Sequence, residues 1–341
     1  MTDDRPVGAL APFQSRIFTL LWLGVVLSSV GSWAQTVGAQ WLFINDPNAA
    51  TIVSLVQTAT ALPMVLFALV AGVLADAFDR RRLMLWVQVY FVVVASLLSI
   101  LSAIGKVPPL LLLAFTFAIG VGNAVQLPTW QPLITELVPR THIAAATRLD
   151  MVSVNVARAI GPAIAGLVIA AFGVPPVFAV NAGCTLFLIV VLATWRRTPA
   201  TAPRARERFL PALRAGGRYV RHEPVVRLIL IRLAIFVFPA VAMWALLPLI
   251  ASRQIGLTAA GYGILFGALG IGAITAAFTM GNLRKHLSSN HILSIVGIAF
   301  GAAFAMTMVV KGLLPALPLL VVLGFAWTAT ASTLNAELQL Y

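Results

Sequence analysis

Charge is scarce in this chain. Asp, Glu, Lys and Arg make up 10% of its 341 residues, where an ordinary soluble domain carries about 25%. Acid is scarcer than base, with ten Asp and Glu against 23 Lys and Arg. The single cysteine, Cys184, excludes an internal disulfide and any metal site built on paired thiolates. The four histidines, His142, His222, His286 and His291, form no H-E-x-x-H pattern and stand beside no cysteine. His286 and His291, five apart, are too weak a pattern for a metal. No G-x-x-x-x-G-K-[ST] loop is present, which argues against an ATP-driven pump. With no convergent nucleophile, metal set or acid–base pair, the sequence argues against an enzyme and implies no cofactor.

Hydrophobic residues fill the space that charge leaves. They make up 60% of the chain, and the mean hydropathy is +0.98. Thr51–Ala75 and Leu83–Gly105 contain no charged residue. Roughly 20 apolar residues cross a hydrocarbon core as a helix, so each run predicts a membrane span. The class is an all-α polytopic membrane protein with about ten such helices. By alternation from a cytoplasmic N-terminus, only Lys106, Arg253 and Lys311 fall outside, while Arg158 and Arg232 lie within apolar runs. The other basic residues fall inside. The net charge of +13 therefore reads as a positive-inside signature with some attraction to anionic lipid heads, and not as nucleic-acid binding. The polar N-terminus does not look like a cleavable signal, because the apolar run after it is too long.

Between the two charge-free runs lies a charged knot, Gly72-Val-Leu-Ala-Asp76-Ala-Phe-Asp79-Arg80-Arg81-Arg82. It predicts a tight turn whose arginines set topology, and Asp76 there needs a cation or a helix N-terminus as partner. Gly72, Leu74, Asp76, Arg80 and Arg81 resemble the G-x-L-x-D-x-x-G-R-[KR] loop of the major facilitator superfamily. Ala77 and Asp79 depart from it, where arginine and glycine are usual. Several segments are similar to the bacterial transmembrane secretion effectors, the branch that includes the enterobactin exporter. The resemblance gives Gly72, Asp76, Arg80 and Arg81 a gating role.

Helix 5 carries the second informative stretch. Gly161-Pro162-Ala-Ile-Ala-Gly166 resembles the superfamily's antiporter motif, with small residues for close helix contact and a proline bend. Arg158 stands three residues before it. An arginine this deep in a span needs a carboxylate, backbone carbonyls or a water-filled cavity. Pairing with Asp150 or Asp76, binding of an anionic substrate group, and snorkelling to the inner surface are the alternatives. Polar stripes mark two more helices. Ser28, Ser32, Gln35, Thr36 and Gln40 share a face of helix 1, and Asn123, Gln126 and Trp130 share one on helix 4. Such stripes are helix-to-helix glue or the lining of a cavity. Asn155, Trp244 and Trp327 join Gln35, Gln40, Asn123, Gln126 and Trp130 as candidate cavity residues, although packing is the default for Trp244 and Trp327. Thr116 occupies the place where the superfamily commonly has a coupling arginine, so that role is not carried here.

The organisation expected is a six-helix bundle over residues 1–195, a basic cytoplasmic linker over 196–227 and four helices of a second bundle over 228–341. Gly281, Leu283, Arg284 and Lys285 read as a worn echo of the knot between helices 8 and 9. The superfamily has twelve spans, so ten predicts a chain two helices short. The resemblance implies a monomeric secondary transporter in a bacterial cytoplasmic membrane, exporting small amphipathic compounds, drug- or siderophore-like, in exchange for protons. A lysolipid flippase is the alternative, or a non-transporting scaffold or sensor if the short chain is native.

Overall fold

A hydrocarbon core about 30 Å thick is crossed by about 20 helical residues. In the computed structural model, which describes residues 10–195 and 221–338, ten helices have that length and apolarity. They are α1 (Arg16–Trp41), α2 (Ala49–Ala77), α3 (Arg80–Ala103), α4 (Pro109–Glu136), α5 (Ile143–Phe172), α6 (Pro175–Thr194), α7 (Pro224–Leu249), α8 (Ala259–His286), α9 (Ser289–Thr307) and α10 (Leu313–Leu338). A single π turn, Ile250–Gln254, extends α7. No strand occurs among the described residues. Large apolar side chains such as Phe238 and Phe278 point outward, 85% and 84% exposed. That is the surface a lipid-facing helix presents.

Local chemistry sets the helix ends. Ser15, Asp79 and Ser288 accept hydrogen bonds from the backbone N–H groups of Phe18, Arg82 and His291, capping α1, α3 and α9. Pro109, Pro175 and Pro224 open α4, α6 and α7 at a position whose N–H has no helical acceptor in any case. Gly173 makes the reversal into α6 at φ +82°, a left-handed conformation that L side chains rarely adopt. α4 runs through Pro128 and Pro132 to Glu136. One boundary differs from the sequence expectation. α8 runs on to His286, so Gly281, Leu283, Arg284 and Lys285 lie in its last turns and form no loop. The basic residues there complement the negative helix C-terminus.

The described residues group into two units. The first takes in α1, the part of α2 from Leu55, α3, α4, α5 to Gly161 and α6; the second takes in Phe43–Ser54, Pro162–Ala170 and the residues from Arg221 onward. The expected linker lies outside the described residues except for 221–227.

In the first unit α6 packs against α1 and α3, and α3 against α4. The α1–α6 contact is cut by glycine at every seventh residue. A methyl group at Gly24 would lie 2.9 Å from Leu188 Cδ1, at Gly31 2.6 Å from Asn181 Oδ1, and at Gly38 3.2 Å from Phe178 Cε1. Small residues let membrane helices approach closely where no hydrophobic effect drives them together. In the second unit α8 and α10 cross at a reciprocal pair. Gly272 lies under the Val321 carbonyl and Gly324 under the Leu269 carbonyl.

Candidate functional site

The charged knot consists of two helix ends joined by Phe78 and Asp79. Gly72 and Asp76 belong to α2, and the three arginines form the first turn of α3. Three positive charges at a helix N-terminus oppose its dipole, and two of them find compensation within the first unit. Arg80 Nη1 donates to Glu136 Oε1 at 3.2 Å, tying α3 to the end of α4. Arg81 donates from Nε to Leu192 O at 2.8 Å and from Nη2 to Ala193 O at 2.7 Å. Those carbonyls are among the last four of α6, which have no intrahelical donor. Asp79 fills its place by capping α3. Asp76 is exposed, with no hydrogen bond or ion pair among the described residues, so the partner expected for it is not found there. Gly72 has open space where a side chain would go. Replacing Arg81 with alanine should loosen the end of α6 by about 1.5–3 kcal/mol, the scale of hydrogen bonds from a charged donor. Faster amide hydrogen exchange at residues 192–195 would show it; exchange equal to that of the parent protein would not fit this capping role.

Five helices of the first unit enclose a small polar cavity. Ser32, Gln35 and Thr36 from α1, Thr60 from α2, Thr116 and Asn123 from α4 and Asn181 from α6 supply its polar lining, with Phe91 and Leu98 from α3 among the apolar walls. Among the described residues no charged side chain lines it. Its volume is about 50 Å³, enough for a water or two. Asn181 Nδ2 donates to Gln35 Oε1. That bond leaves Gln35 Nε2 as a donor and Asn181 Oδ1 as an acceptor, both buried and unpaired among the described residues. The α1 stripe thus does two things. Ser28 and Gln35 bind α6, through Thr185 at 3.4 Å and through Asn181, while Ser32, Gln35 and Thr36 face the cavity.

Of the candidate cavity residues, Gln35 and Asn123 line this space. Gln40 is buried and Gln126 half-buried, and neither lines it. Trp130 is a core residue, 8% exposed and packed with Phe18, Leu21 and Met84, because it lies almost two turns beyond Asn123 along α4. Asn155 turns back to Met151 O of its own helix at 2.8 Å. In the second unit Trp244 and Trp327 pack edge to face at 5.9 Å, flanked by Phe266 and Phe236.

Asp150 and Arg158 do not pair. Eight residues on a helix separate two side chains by about 12 Å of rise and about 80° of rotation, and each turns to a different neighbour. Asp150 is 7% exposed. It accepts from Trp130 Nε1 at 2.9 Å and from Gln131 Nε2 at 3.4 Å, both on α4. Those donors are neutral, so the carboxylate is held but its charge is not cancelled. Arg158 instead places its guanidinium over the Trp33 ring of α1, with Cζ 5.5 Å from the ring centroid. Its Nε is buried without an acceptor among the described residues. Holding an arginine at the middle of a membrane helix costs about 2.5–3.5 kcal/mol on insertion scales. A cation–π contact returns about 0.5–2 kcal/mol, so the charge is under-compensated. Three residues on, Gly161 admits α1 itself: a methyl there would lie 2.6 Å from Trp33 Cβ and 2.7 Å from Val30 O. In the second unit, a methyl at Gly166 would collide with Ala259 O, and Gly263 sits against Pro162 O.

The sequence profile of the transmembrane secretion effectors matches residues 7–341. The chain belongs to that family. This branch of the major facilitator superfamily consists of transporters rather than enzymes, and its members act on small molecules. The chain is 22% identical over 275 residues to the staphyloferrin A transporter of Staphylococcus aureus, covering 80% of this chain and 69% of that protein. It is 26% identical over 346 residues to the multidrug efflux pump Tap of Mycolicibacterium fortuitum, covering 94% and 80%. Its fold is similar to that of a bacterial homologue of the human lysosomal transporter Spinster, with TM-score 0.67 and 16% identity over 96% of this chain and 79% of that one. Within this effector-family chain, sequence reasoning missed Trp33, Glu136, Gln131 and Gln88. Gln88 is fully buried on α3, its Nε2 reaching Met84 Sδ at 3.7 Å. A glutamine in a charge-free span is a visible signal; the roles of Trp33 and Gln131 depend on helix rotation and carry none.

Proposed function

We propose that the protein is a secondary exporter of small amphipathic compounds across a bacterial cytoplasmic membrane, with its N-terminus on the cytoplasmic side, driven by protons entering in exchange. The observation that carries this reading is the uncharged polar cavity inside an apolar bundle. Its unpaired donor, Gln35 Nε2, and unpaired acceptor, Asn181 Oδ1, are left at its wall. Buried polar groups are ordinarily satisfied, and exceptions call for an explanation. A neutral hydrogen-bonding group of a substrate, alternating there with water, supplies one. The efflux relatives support the direction of transport.

Asp150 is the proton carrier in this reading. It is a carboxyl within a span, bound by neutral donors and contacted by no Lys, Arg or His among the described residues. A proton removes its charge without breaking apart an ion pair. Arg80, Arg81 and Asp76 then serve as the conformational elements of the α2–α3 junction, with the Gly161–Gly166 stretch as the close-packed element of α5.

The test is accumulation of a panel of fluorescent amphipathic dyes in cells that express the protein, with and without a protonophore. Lower accumulation that rises again when the proton gradient collapses is the expected outcome. Unchanged accumulation across the panel would point to a scaffold or sensor. Translocation of labelled lysolipid with no effect on dyes would favour the flippase reading.

A further inference from the structure

Arg158 is the sixteenth of the thirty residues of α5. At 1.5 Å per residue it stands about 22 Å from either helix end, which places it near the middle of the membrane. An arginine side chain cannot snorkel over that distance. The charge therefore stays at mid-depth, where substrates of secondary transporters bind. One face of the guanidinium is taken by the Trp33 ring. No carboxylate reaches it among the described residues, and Nε is buried without an acceptor. The side chain remains partly exposed. A planar, permanently charged fork held on an aromatic face suits an oxyanion, bound bidentately in the guanidinium plane, while apolar parts of the same ligand lie against the indole.

We infer that Arg158 and Trp33 form a binding point for the carboxylate or a similar oxyanion of an amphipathic ligand, which makes anionic aromatic compounds a preferred substrate class. This rests on the export reading, and it adds a charge selectivity that the neutral cavity cannot supply. The same oxyanion chemistry is offered by a soluble carboxylate and by a lipid phosphate. The mid-helix position favours the first, because lipid headgroups lie at the helix ends.

The test uses three probes of one shape: 1-naphthoate, neutral 1-naphthamide and cationic 1-naphthylmethylammonium. Binding is measured by equilibrium dialysis against the whole protein in phosphatidylcholine vesicles, with protein-free vesicles as blank. Naphthoate should bind at least about tenfold more tightly than naphthamide, a gap of 1.4 kcal/mol. Arg158→Gln should erase that gap by weakening naphthoate the more, and an unfolding temperature within a few degrees of the parent protein shows that the variant is folded. Arg158→Lys, which keeps the charge but loses the fork, should retain part of it. A gap that is absent in the parent protein, or that persists in Arg158→Gln, would overturn the assignment. Phosphatidylglycerol added to the vesicles should not displace naphthoate; displacement would give the site to lipid phosphate and overturn the solute assignment. The two readings fail separately. Dye export without a carboxylate preference removes this site alone, whereas a carboxylate preference without export removes the transport reading and leaves the site.

Discussion

Asp150→Asn lowers proton-driven efflux by at least about tenfold, equivalent to 1.4 kcal/mol or more of lost driving interaction, while leaving the protein folded. The argument begins with shape. Asparagine has the volume of aspartate, and its Oδ1 can still accept from Trp130 Nε1, the 2.9 Å bond that fixes the side chain. Gln131 now donates to Oδ2 at 3.4 Å, and rotating its amide lets it accept from the new NH₂ group instead. The packing of Phe18, Trp22, Ile134 and Ala146 around this place has no reason to change. What is lost is the ability to take and release a proton. Thermal stability within a few degrees of the parent protein, together with dye efflux that no longer responds to the proton gradient, is the expected pair of results. Gradient-dependent efflux in Asp150→Asn would remove Asp150 as the carrier and direct attention to Asp76.

Gly324→Leu disrupts the second unit by forcing two helices apart at a backbone contact. Gly324 of α10 and Gly272 of α8 each lie beneath a backbone carbonyl of the other helix, Leu269 O and Val321 O. Most overpacked side chains find relief by turning a neighbouring side chain aside. Here the neighbour on each side is backbone, so the helices must separate. Overpacking typically costs about 1–3 kcal/mol and occasionally more; a rigid contact places this variant at the upper end. Separation would also disturb Leu265, Leu269, Leu320 and Leu323, all buried. The result expected is a drop of several degrees in unfolding temperature and a lower yield of monodisperse protein. Gly301→Ala is the control: nothing lies within 4 Å of the added carbon, and alanine is favoured over glycine in a helix by about 1 kcal/mol. Equal stability of Gly324→Leu and Gly301→Ala would contradict the crossing.

Much of this architecture is legible in the sequence because the membrane enforces it. Every span must be a helix of sufficient length with its backbone satisfied internally, so hydropathy alone locates α2, α3 and their junction. Asp79 shows what was visible but misread. Against a family pattern it is a departure from glycine, yet an Asp just ahead of a helix is also an N-cap signal, and that is what it does. The seven-residue spacing of Gly24, Gly31 and Gly38 was equally open to inspection. Asp150 and Arg158 show the limit. Pairing was one of the alternatives open to them, but 80° of residual rotation turns one to α4 and the other to α1. The Trp130 partner lies twenty residues back across a turn, and a pairing of that kind follows from how two helices are rotated against each other. The same holds for the cavity. The stripes on α1 and α4 were readable as stripes, but which members face inward depends on Gly31 bringing α6 close enough for Asn181 to reach Gln35.

The most direct test of proton-coupled export is flux in proteoliposomes. The purified protein is reconstituted at low density, an acid-inside pH gradient is imposed, and uptake of a fluorescent amphipathic dye that survives the cell panel is followed. Protons leaving through inside-out molecules should drive dye into the lumen against its own gradient. That uptake should vanish on addition of a protonophore and be missing from Asp150→Asn vesicles. Dye equilibrating no faster than in protein-free vesicles, with the gradient intact, would contradict the account.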